Sequence, residues 1–424
     1  MDENVLWIWL SLACTPGTDT FSKLITKFHS AREIYSKEDY EIYSVLDHKC
    51  SDRERLVDKS LDKAEEIYWF CKRNNVGITK YSDDDFPSLL RSISTPPVLL
   101  YYRGTLPDFD SCCPIAVVGT RWLTLYGRKN AYNISYDLAK AGTLIVSGMA
   151  RGIDGVSHAG AIAAGAKTVA VLGSGINICY PKQHLTLAKE IVNNGCVITE
   201  YPPYSKPYKH HFPIRNRIIS GLSKALLLIE GDEKSGALIS ARCAKEQGRR
   251  VYALPGNVDS PTSQSSNLII KNGAGLVTSA DDIVSDMQDI SGAMLNPFKL
   301  TLDKRTDMMS VLRELRVSAL AVNDDVFVPS RQAWARKKEK KPDTVIKKFE
   351  KEPIQEEDES NNSFDALTLK IYKRIPKNEI CSFESLVGDG VTLRDVNMAM
   401  LKLEIGQFVT IHPSERVSRK FRFK

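Results

Sequence analysis

Six short apolar segments alternate with helical stretches between positions 113 and 255, and glycine stands at their junctions. Strands that alternate with helices in this way form a mostly parallel, doubly wound α/β sheet, and uniformly apolar strands are typical of a sheet covered on both faces. Right-handed crossovers then place the loops that follow the strands along one edge, where ligands bind. The sequence therefore predicts a Rossmann-like domain with strands at Ile115 to Val118, Thr143 to Val146, Thr168 to Leu172, Cys196 to Thr199, Ala225 to Ile229 and Val251 to Leu254.

Changes in sequence pattern divide the 424 residues into four parts, as expected for a chain longer than one typical domain of about 100 to 200 residues. Residues 1–80 have apolar positions at helical spacing, which predicts a small helical N-terminal domain. Residues 81–287 hold the predicted Rossmann-like core. Residues 288–362 have the composition of a charged, flexible linker, with a basic run at 336–341 and an acidic run at 356–359.

Residues 363–424 regain the periodicity of ordered structure and predict a winged-helix-like domain. The order is three helices and then a strand, at Ala366 to Arg374, Ser382 to Val387, Thr392 to Ile405 and Gln407 to His412. Arg394 and Lys402 lie on the third helix, which would be the recognition helix if this domain bound DNA. Winged helices also serve as protein-interaction modules, so both roles stay open.

Composition narrows the class of protein. A hydrophobic content of 42% and a charged content of 26% are ordinary for a globular protein, and the net charge of +6 permits a polyanionic partner. The apolar run from Val5 to Cys14 follows Asp2 and Glu3 and is too short to cross a bilayer, so we expect a cytoplasmic protein. The nine cysteines include no C-x-x-C pair, so we expect reduced thiols and no metal site. We also expect no cofactor.

Glycine, hydroxyl and basic side chains follow the first three predicted strands. Glycine lets a phosphate approach the backbone closely, and a guanidinium group is a planar fork that matches phosphate oxygens. A helix that begins in such a loop adds free amides and the positive end of its dipole. Three such loops on one sheet edge predict a phosphate-binding rim. The residues assigned to it here are Gly119, Thr120, Arg121, Ser147, Gly148, Arg151, Gly152, Gly173, Gly175 and Lys182.

Two later segments add to this rim. The segment from Phe212 to Ser223 places two arginines around an asparagine. Because residues two apart on a helix point in different directions, one arginine can face a phosphate while the other holds the sheet together, and we expect at least one structural role. A further helix begins at a serine–glycine pair and offers another cluster of amides to an anion. The residues assigned from these segments are Arg215, Asn216, Arg217, Ser235 and Gly236.

In their order along the chain, these segments resemble the DNA-processing protein A family of bacteria (DprA, also called Smf). The resemblance runs from Asp85 to about Val277 and is carried by G-T-R, S-G-M-A-R-G-I-D, V-L-G-S-G, Y-P-K, F-P-I-R-N-R-I-I-S-G-L-S, S-G-A-L-I-S-A and L-P-G-N. It implies a homodimer that binds and protects single-stranded DNA, loads the RecA recombinase onto it in transformation and recombination, and is not an enzyme. The family's DNA-binding arginine falls on Arg121, its lysine on Lys182, and its R-N-R on residues 215–217.

Other function classes share this kind of domain. A phosphoribohydrolase of the lysine-decarboxylase-like family needs a P-G-G-x-G-T loop beside a catalytic glutamate, whereas P-G continues here with Asn257. Glu200, Glu230 and Glu246 are the candidate acids for that alternative. A dinucleotide oxidoreductase needs a G-x-G-x-x-G turn, which the first strand lacks, and His158 in its alanine-rich helix favours packing over catalysis. A third class is a scaffold that brings RecA to a partner without binding DNA.

The predicted groove favours single strands over duplex. A narrow groove at a sheet edge accepts one phosphate backbone and leaves the bases free to stack on aromatic rings. Tyr180, Tyr204 and Phe212 lie in the predicted loops and are candidates for that stacking, with packing in the protein interior as the alternative.

Overall fold

The computed structural model describes most of the chain. The described residues are 2–233, 235–288, 295, 307–317, 366–375, 381–389, 391–392, 395–396, 399–400, 403, 409–412 and 416–419. They belong to two compact units, Met1–Ala335 and Arg336–Lys424. Arg394, Lys402 and the two charged runs of the predicted linker lie outside the described residues.

The first unit is built on a sheet with nine described strands. In chain order they are β1 Gly77–Lys80, β2 Leu99–Gly104, β3 Cys113–Val118, β4 Thr143–Ser147, β5 Thr168–Val171, β6 Gly195–Thr199, β7 Ala225–Leu228, β8 Arg250–Ala253 and β9 Gly275–Leu276. The order across the sheet is β1-β2-β6-β5-β4-β3-β7-β8-β9. Strand β2 is antiparallel to both neighbours, and every pair from β6 to β9 is parallel. The predicted parallel sheet is confirmed, and all six predicted strands lie within two residues of their predicted bounds.

The strand order reverses between β3 and β7. On β3, Ile115 pairs with Ile145 of β4 on one side and with Ala225 of β7 on the other. The chain proceeds from β3 through β4 and β5 to β6 on one side, and from β7 through β8 to β9 on the other. The loops after β3 and β7 therefore diverge, which opens a crevice at the carboxyl ends of these strands.

Successive side chains of the central strands are buried on opposite faces of the sheet. Ile115 belongs to one apolar cluster and Ala116 to a second. Helices cover both faces, which explains why the strand sequences are uniformly apolar. The helices of the first unit are α1 Glu3–Ala13, α2 Thr20–Phe28, α3 Ala31–Ser36, α4 Asp39–Val45, α5 Arg53–Val57, α6 Asp62–Arg73, α7 Ser88–Arg91, α8 Leu125–Lys140, α9 Ile153–Ala163, α10 Leu185–Asn193, α11 His211–Gly221, α12 Gly236–Glu246, α13 Gln264–Lys271, α14 Ala280–Gln288 and α15 Met308–Glu314. No helix in the described ranges is long and apolar enough to span a membrane.

The N-terminal helices form one layer with the sheet, in which α1 packs on β2 and α6 packs on β1. The ring centroids of Trp7 on α1 and Phe21 on α2 are 6.3 Å apart, and Phe21 lies edge-on to Tyr81, 5.2 Å away, just beyond β1. Trp7, Leu10, Phe21 and the buried Tyr101 of β2 belong to the same apolar cluster as one face of the central strands. The predicted N-terminal helices are confirmed, while the predicted domain boundaries at residues 80, 287 and 362 stay predictions.

The second unit is small. Its described elements are α16 Ala366–Arg374, β10 Cys381–Ser382, a 3-10 turn at Glu384–Leu386, β11 Val409–His412 and β12 Arg416–Arg419. The strands form an antiparallel sheet in the order β10-β12-β11 over a buried cluster that includes Ile371, Leu386 and Val409.

Two predicted elements of this unit are present in the structure, and a third differs from its prediction. The helix at 366–374 and the strand at 407–412 are present as α16 and β11. The helix expected from Ser382 to Val387 is instead the end of β10 and a single 3-10 turn, because Ser382 pairs with Arg416 in the sheet.

Candidate nucleic-acid interface

A groove lies where the carboxyl ends of the central strands meet, at the reversal of strand order. It consists of two adjoining cavities of about 140 and 530 Å³, both lined by Arg121, Trp122, Ala150, Tyr180 and Phe212. Its walls come from the loops after β3, β4, β5, β6 and β7 and from the first turns of α11 and α12. The loops that the sequence assigned to one edge therefore meet at one site.

Most of the predicted phosphate-binding residues line this groove. These are Gly119, Thr120, Arg121, Gly148, Arg151, Gly173, Arg215, Asn216, Ser235 and Gly236. The predicted residues that line neither cavity are Ser147, Gly152, Gly175, Lys182 and Arg217. Whether any of the fifteen contacts DNA stays a prediction.

Arg121 lies on the exposed rim of the groove, in the loop between β3 and α8. Its guanidinium carbon is 5.4 Å from the centroid of the Phe212 ring, which is a cation–π arrangement. Among the described residues no ion pair includes Arg121, so the ordinary alternative of a surface salt bridge is not seen there. The hydrogen-bond donors of Arg121 therefore stand at the mouth of the groove.

The N-terminus of α8 is already occupied by a carboxylate of the same chain. Glu230, which follows β7, accepts hydrogen bonds from the backbone N–H of Thr124 at 3.1 Å and from its hydroxyl at 2.6 Å. Thr124 in turn caps α8 by accepting from the N–H of Gly127. Sequence reasoning predicted that an anion would favour this helix end, and the anion present is Glu230. The side of this loop that stays open to a ligand is therefore the Arg121 side.

Arg215 of α11 forms part of the groove floor and joins the ends of β4 and β5. Its Nη1 donates to the carbonyl oxygen of Gly148 at 2.8 Å and to that of Val171. A Cβ on Gly148 would lie only 2.6 Å from the guanidinium nitrogens, so a larger residue here would displace the guanidinium group. Burial lowers the pKa of Arg215 to about 10, and the Asp154 carboxylate opposes that shift, so the guanidinium stays charged at neutral pH.

Asp154, at the start of α9, is the buried counter-charge of this floor. Its carboxylate accepts hydrogen bonds from the backbone N–H of Gly148 at 3.2 Å and of Ala150 at 3.4 Å. Burial raises the pKa of Asp154 above its ordinary value, and the neighbouring Arg215 and these amides oppose the shift. The carboxylate thus fixes the loop after β4 from the floor of the larger cavity.

Positive charge dominates the groove. Its cationic side chains are Arg121, Arg151, Lys209 and Arg215, and its carboxylates are Asp154 and Asp232. Sequence reasoning did not single out Lys209 or Trp122. Trp122 directly follows Arg121, so its adjacency to a predicted rim residue was the available signal, whereas nothing in the local sequence marks Lys209 as facing the groove.

Two predicted residues support the loops from behind. The Ser147 hydroxyl donates to the carbonyl oxygen of Val117 at 2.6 Å and so joins β4 to β3. Gly152 is the N-cap residue of α9 with φ at 77°, a conformation that favours glycine, and a Cβ there would lie 2.3 Å from the carbonyl oxygen of Thr120. Both residues therefore shape the rim without facing its cavity.

Two others lie beside the groove. The N–H of Gly175 donates to the carbonyl oxygen of Ser205 at 2.8 Å and anchors the loop after β6. Lys182 is half-buried at the start of a 3-10 turn, next to Pro181, which lines the smaller cavity. Lys182 is therefore adjacent to the groove but is not part of its described lining.

Arg217 has the structural role expected for one arginine of its pair. Its Nη2 donates to Glu200 at 2.5 Å, and both side chains are buried. Burial raises the pKa of Glu200, and the Arg217 charge opposes that shift. The ion pair lies by the turn of residues 15–18 rather than at the groove.

Three of the four candidate catalytic residues have structural partners, and the fourth, Glu246, is exposed on α12 and lines neither cavity of the groove. Glu200 pairs with Arg217, and Glu230 holds Thr124. His158 is fully buried with its Nδ1 2.7 Å from the Thr168 hydroxyl, and burial lowers its pKa to about 3, so it is neutral. Within the described residues no group of three or more histidine, cysteine, aspartate or glutamate side chains is arranged to hold a metal ion.

Comparisons with known proteins agree on one family. A family model described as DNA recombination-mediator protein A matches residues 77–288, which is half of the chain. DNA processing protein DprA of Bacillus subtilis (strain 168) is 37% identical over 242 residues, covering 57% of this chain and 82% of that protein. Protein Smf of Synechocystis is 33% identical over 342 residues, covering 80% of this chain and 79% of that protein.

A solved structure gives the same result. The X-ray structure of DNA processing protein A (DprA) from Streptococcus pneumoniae aligns with a TM-score of 0.57 and 32% identity, and covers 63% of this chain and 93% of that chain. All residues that line the groove lie within the matched range 77–288. A recombination mediator acts by binding and not by turning over a substrate, so the matched family is not one of enzymes.

Proposed function

The chain belongs to the DNA recombination-mediator protein A family, and we propose that it binds single-stranded DNA in the groove at the ends of the central strands and loads a RecA recombinase onto that strand. In this proposal it acts as a cytoplasmic homodimer that protects incoming or damaged strands in natural transformation and homologous recombination. The observation in its favour is the meeting of five loops and two helix starts at one groove, in which cationic side chains outnumber carboxylates.

Charge placement suits a phosphate backbone. Arg121 and Arg151 both line the smaller cavity, and Lys209 lines the larger one. Phosphate contacts of this kind supply most of the affinity of sequence-independent DNA binding through release of counterions. Asp154 does not oppose them strongly, because its carboxylate is buried and bonded to backbone amides.

Single strands fit the groove better than duplex in this proposal. Tyr180 and Phe212 line both cavities, and their ring centroids are 5.4 Å apart. Tyr204, the third aromatic candidate, packs against Phe70 at 5.2 Å instead and lines neither cavity. We expect a labelled single strand to be displaced by unlabelled single strand and far less by the same length of duplex. Equal competition by both would contradict this part of the proposal.

Charge reversal at the rim tests the binding site. In fluorescence anisotropy titrations with a labelled oligothymidine, Arg121→Glu and Lys182→Glu should weaken binding and flatten its dependence on salt. Each lost phosphate contact flattens the slope of log Kd against log salt by about 0.7 for a single strand. Arg32→Glu is the matched control, since Arg32 is an exposed arginine on α3 and makes the same change in net charge.

The outcomes separate the classes of function. Loss of affinity in Arg121→Glu with an unchanged Arg32→Glu supports DNA binding in the groove. Unchanged affinity in both rim variants would contradict it and would favour a scaffold that does not bind DNA. An equal loss of affinity in all three variants would show that the effect comes from net charge alone, and would also contradict DNA binding in the groove.

Homodimer formation is proposed with a specific surface. Leu268 of α13 and Leu276 of the edge strand β9 are exposed apolar residues at the end of the sheet opposite β1. Exposed apolar side chains of this kind suit a self-complementary interface. Light scattering should give twice the chain mass for the wild type and the monomer mass for Leu268→Arg with Leu276→Arg. A wild-type mass equal to one chain would contradict the proposal.

Loading of RecA needs its own assay. We expect the protein to speed RecA filament formation on single strands that are covered by a single-strand-binding protein. Deletion of residues 363–424 tests the second unit, which we propose to be a winged helix because α16, β10, β11 and β12 have the order of that fold. A deletion that lowers DNA affinity assigns the unit to DNA, and one that leaves affinity unchanged but abolishes loading assigns it to a protein partner.

A further inference from the structure

The exposed indole of Trp122 stands at the mouth of the groove. Its side chain is 63% exposed, and it lines both cavities together with Arg121. Flat aromatic side chains at the edge of a basic groove are the groups on which the bases of a single strand stack. We propose that Trp122 is a stacking platform for one base of the bound strand, which gives the site a contact with bases in addition to its contacts with phosphates. This inference rests on the proposed DNA-binding function.

The loop holds Trp122 in place before any ligand arrives. The N–H of Trp122 donates to the Thr120 hydroxyl at 3.1 Å, and the N–H of Thr120 donates to the carbonyl oxygen of Glu230 at 2.7 Å. The Glu230 carboxylate binds the other end of the loop at Thr124. One residue thus fixes both ends of a five-residue loop. A fixed backbone lowers the entropy that ordering the platform would otherwise cost.

The other aromatic rings of the groove are already engaged. Phe212 has the guanidinium carbons of Arg121 at 5.4 Å and Arg215 at 5.9 Å from its centroid, and Tyr180 packs against it. Among the described residues no ring or cation packs on the Trp122 indole. Trp122 is therefore the groove's aromatic side chain with an open face, and its position beside Arg121 lets one nucleotide contact both groups.

A nucleobase is the occupant that fits this position. The ring lies beside cationic groups, so an approaching apolar peptide would bury Arg121 without a counter-charge, which is costly. A nucleotide brings a phosphate for the guanidinium and a flat base for the indole. Stacking is tolerant of sequence because every base has a π face, which suits a protein that handles strands of any sequence.

The test compares two ligands of equal charge, an oligothymidine and an abasic oligomer of the same length. Trp122→Ala should raise the Kd for oligothymidine by about 5- to 150-fold, the range for one lost base stack, and leave the abasic Kd unchanged. The salt dependence should stay as in the wild type, because no phosphate contact is lost. Trp122→Phe should restore most of the affinity.

Trp69 supplies the matched control. It lies on α6 and is 57% exposed, close to the exposure of Trp122, but its ring contacts Tyr68 and it lies away from the groove. Trp69→Ala should bind oligothymidine as the wild type does. If Trp122→Ala also keeps the wild-type affinity while Arg121→Glu loses affinity, the proposed stacking role of Trp122 is wrong and DNA binding in the groove is still supported. If Arg121→Glu is also unchanged, the proposed function itself fails.

Discussion

The close approach of Arg215 to Gly148 allows a quantitative prediction of how much an added methyl group would destabilise the fold. A Cβ added at Gly148 would lie 2.6 Å from both terminal guanidinium nitrogens of Arg215, so the group must retreat by about 0.8 Å to reach ordinary van der Waals contact. That retreat breaks the 2.8 Å hydrogen bond to the carbonyl oxygen of Gly148 and strains the bond to Val171. Hydrogen bonds from a buried charged group contribute about 1.5 to 3 kcal/mol each, so Gly148→Ala should cost about 3 kcal/mol of unfolding free energy.

Urea unfolding followed by circular dichroism measures this cost. The decisive comparison is a double-mutant cycle with Arg215→Met, which removes the guanidinium that the new methyl group would meet. In that background Gly148→Ala should cost less than about 1 kcal/mol, because the flexible methionine can give way. Gly236→Ala is the control, since a Cβ at Gly236 meets no atom within 4 Å. Additive costs in the cycle, or an equal cost in Gly236→Ala, would refute the reasoning.

Three further predictions concern the protein interior. Arg217→Met should destabilise the fold by about 3 to 5 kcal/mol, because Glu200 is left buried without its counter-charge, and adding Glu200→Gln should recover part of the loss in thermal unfolding. His158 has a pKa of about 3 in the folded protein and about 6.5 when unfolded, so below pH 6.5 the unfolded state binds the extra proton and stability falls as pH falls. His158→Gln should make this fall in unfolding free energy shallower by up to about 1.4 kcal/mol per pH unit. An unchanged slope would contradict a buried, neutral His158. Burial raises the pKa of the Cys196 thiol to about 12, so mass spectrometry should find it alkylated only after denaturation, and rapid labelling of the native protein would be inconsistent with this burial.

The parallel strands could be predicted because their sequences carry the signal of double burial. Each is a short run of apolar residues, and helical stretches separate these runs. Strands β1 and β2 were missed because they pair antiparallel at the sheet edge, where residues such as Tyr102 and Arg103 are half-buried. Strand β9 has only two residues, which is too short for any periodicity.

The sequence could predict which loops form the site, but not how individual side chains are placed within it. Loops that follow parallel strands meet at one edge, so the sequence brought together residues such as Gly119, Gly148 and Gly173. It could not give the direction of Arg217, which depends on a buried carboxylate on another element. Nor could it show that Glu230 occupies the N-terminus of α8, since the two groups are 106 residues apart in the chain.

The packing of the N-terminal helices against the sheet has a consequence for how this protein is divided. The segment that the family model matches begins at residue 77, yet Trp7, Leu10 and Phe21 complete the apolar cluster beneath it. A fragment trimmed to the matched segment would expose that face to water, and apolar patches of such size promote self-association. The region that carries the recognisable motifs thus depends for its solubility on helices whose own sequence carries none.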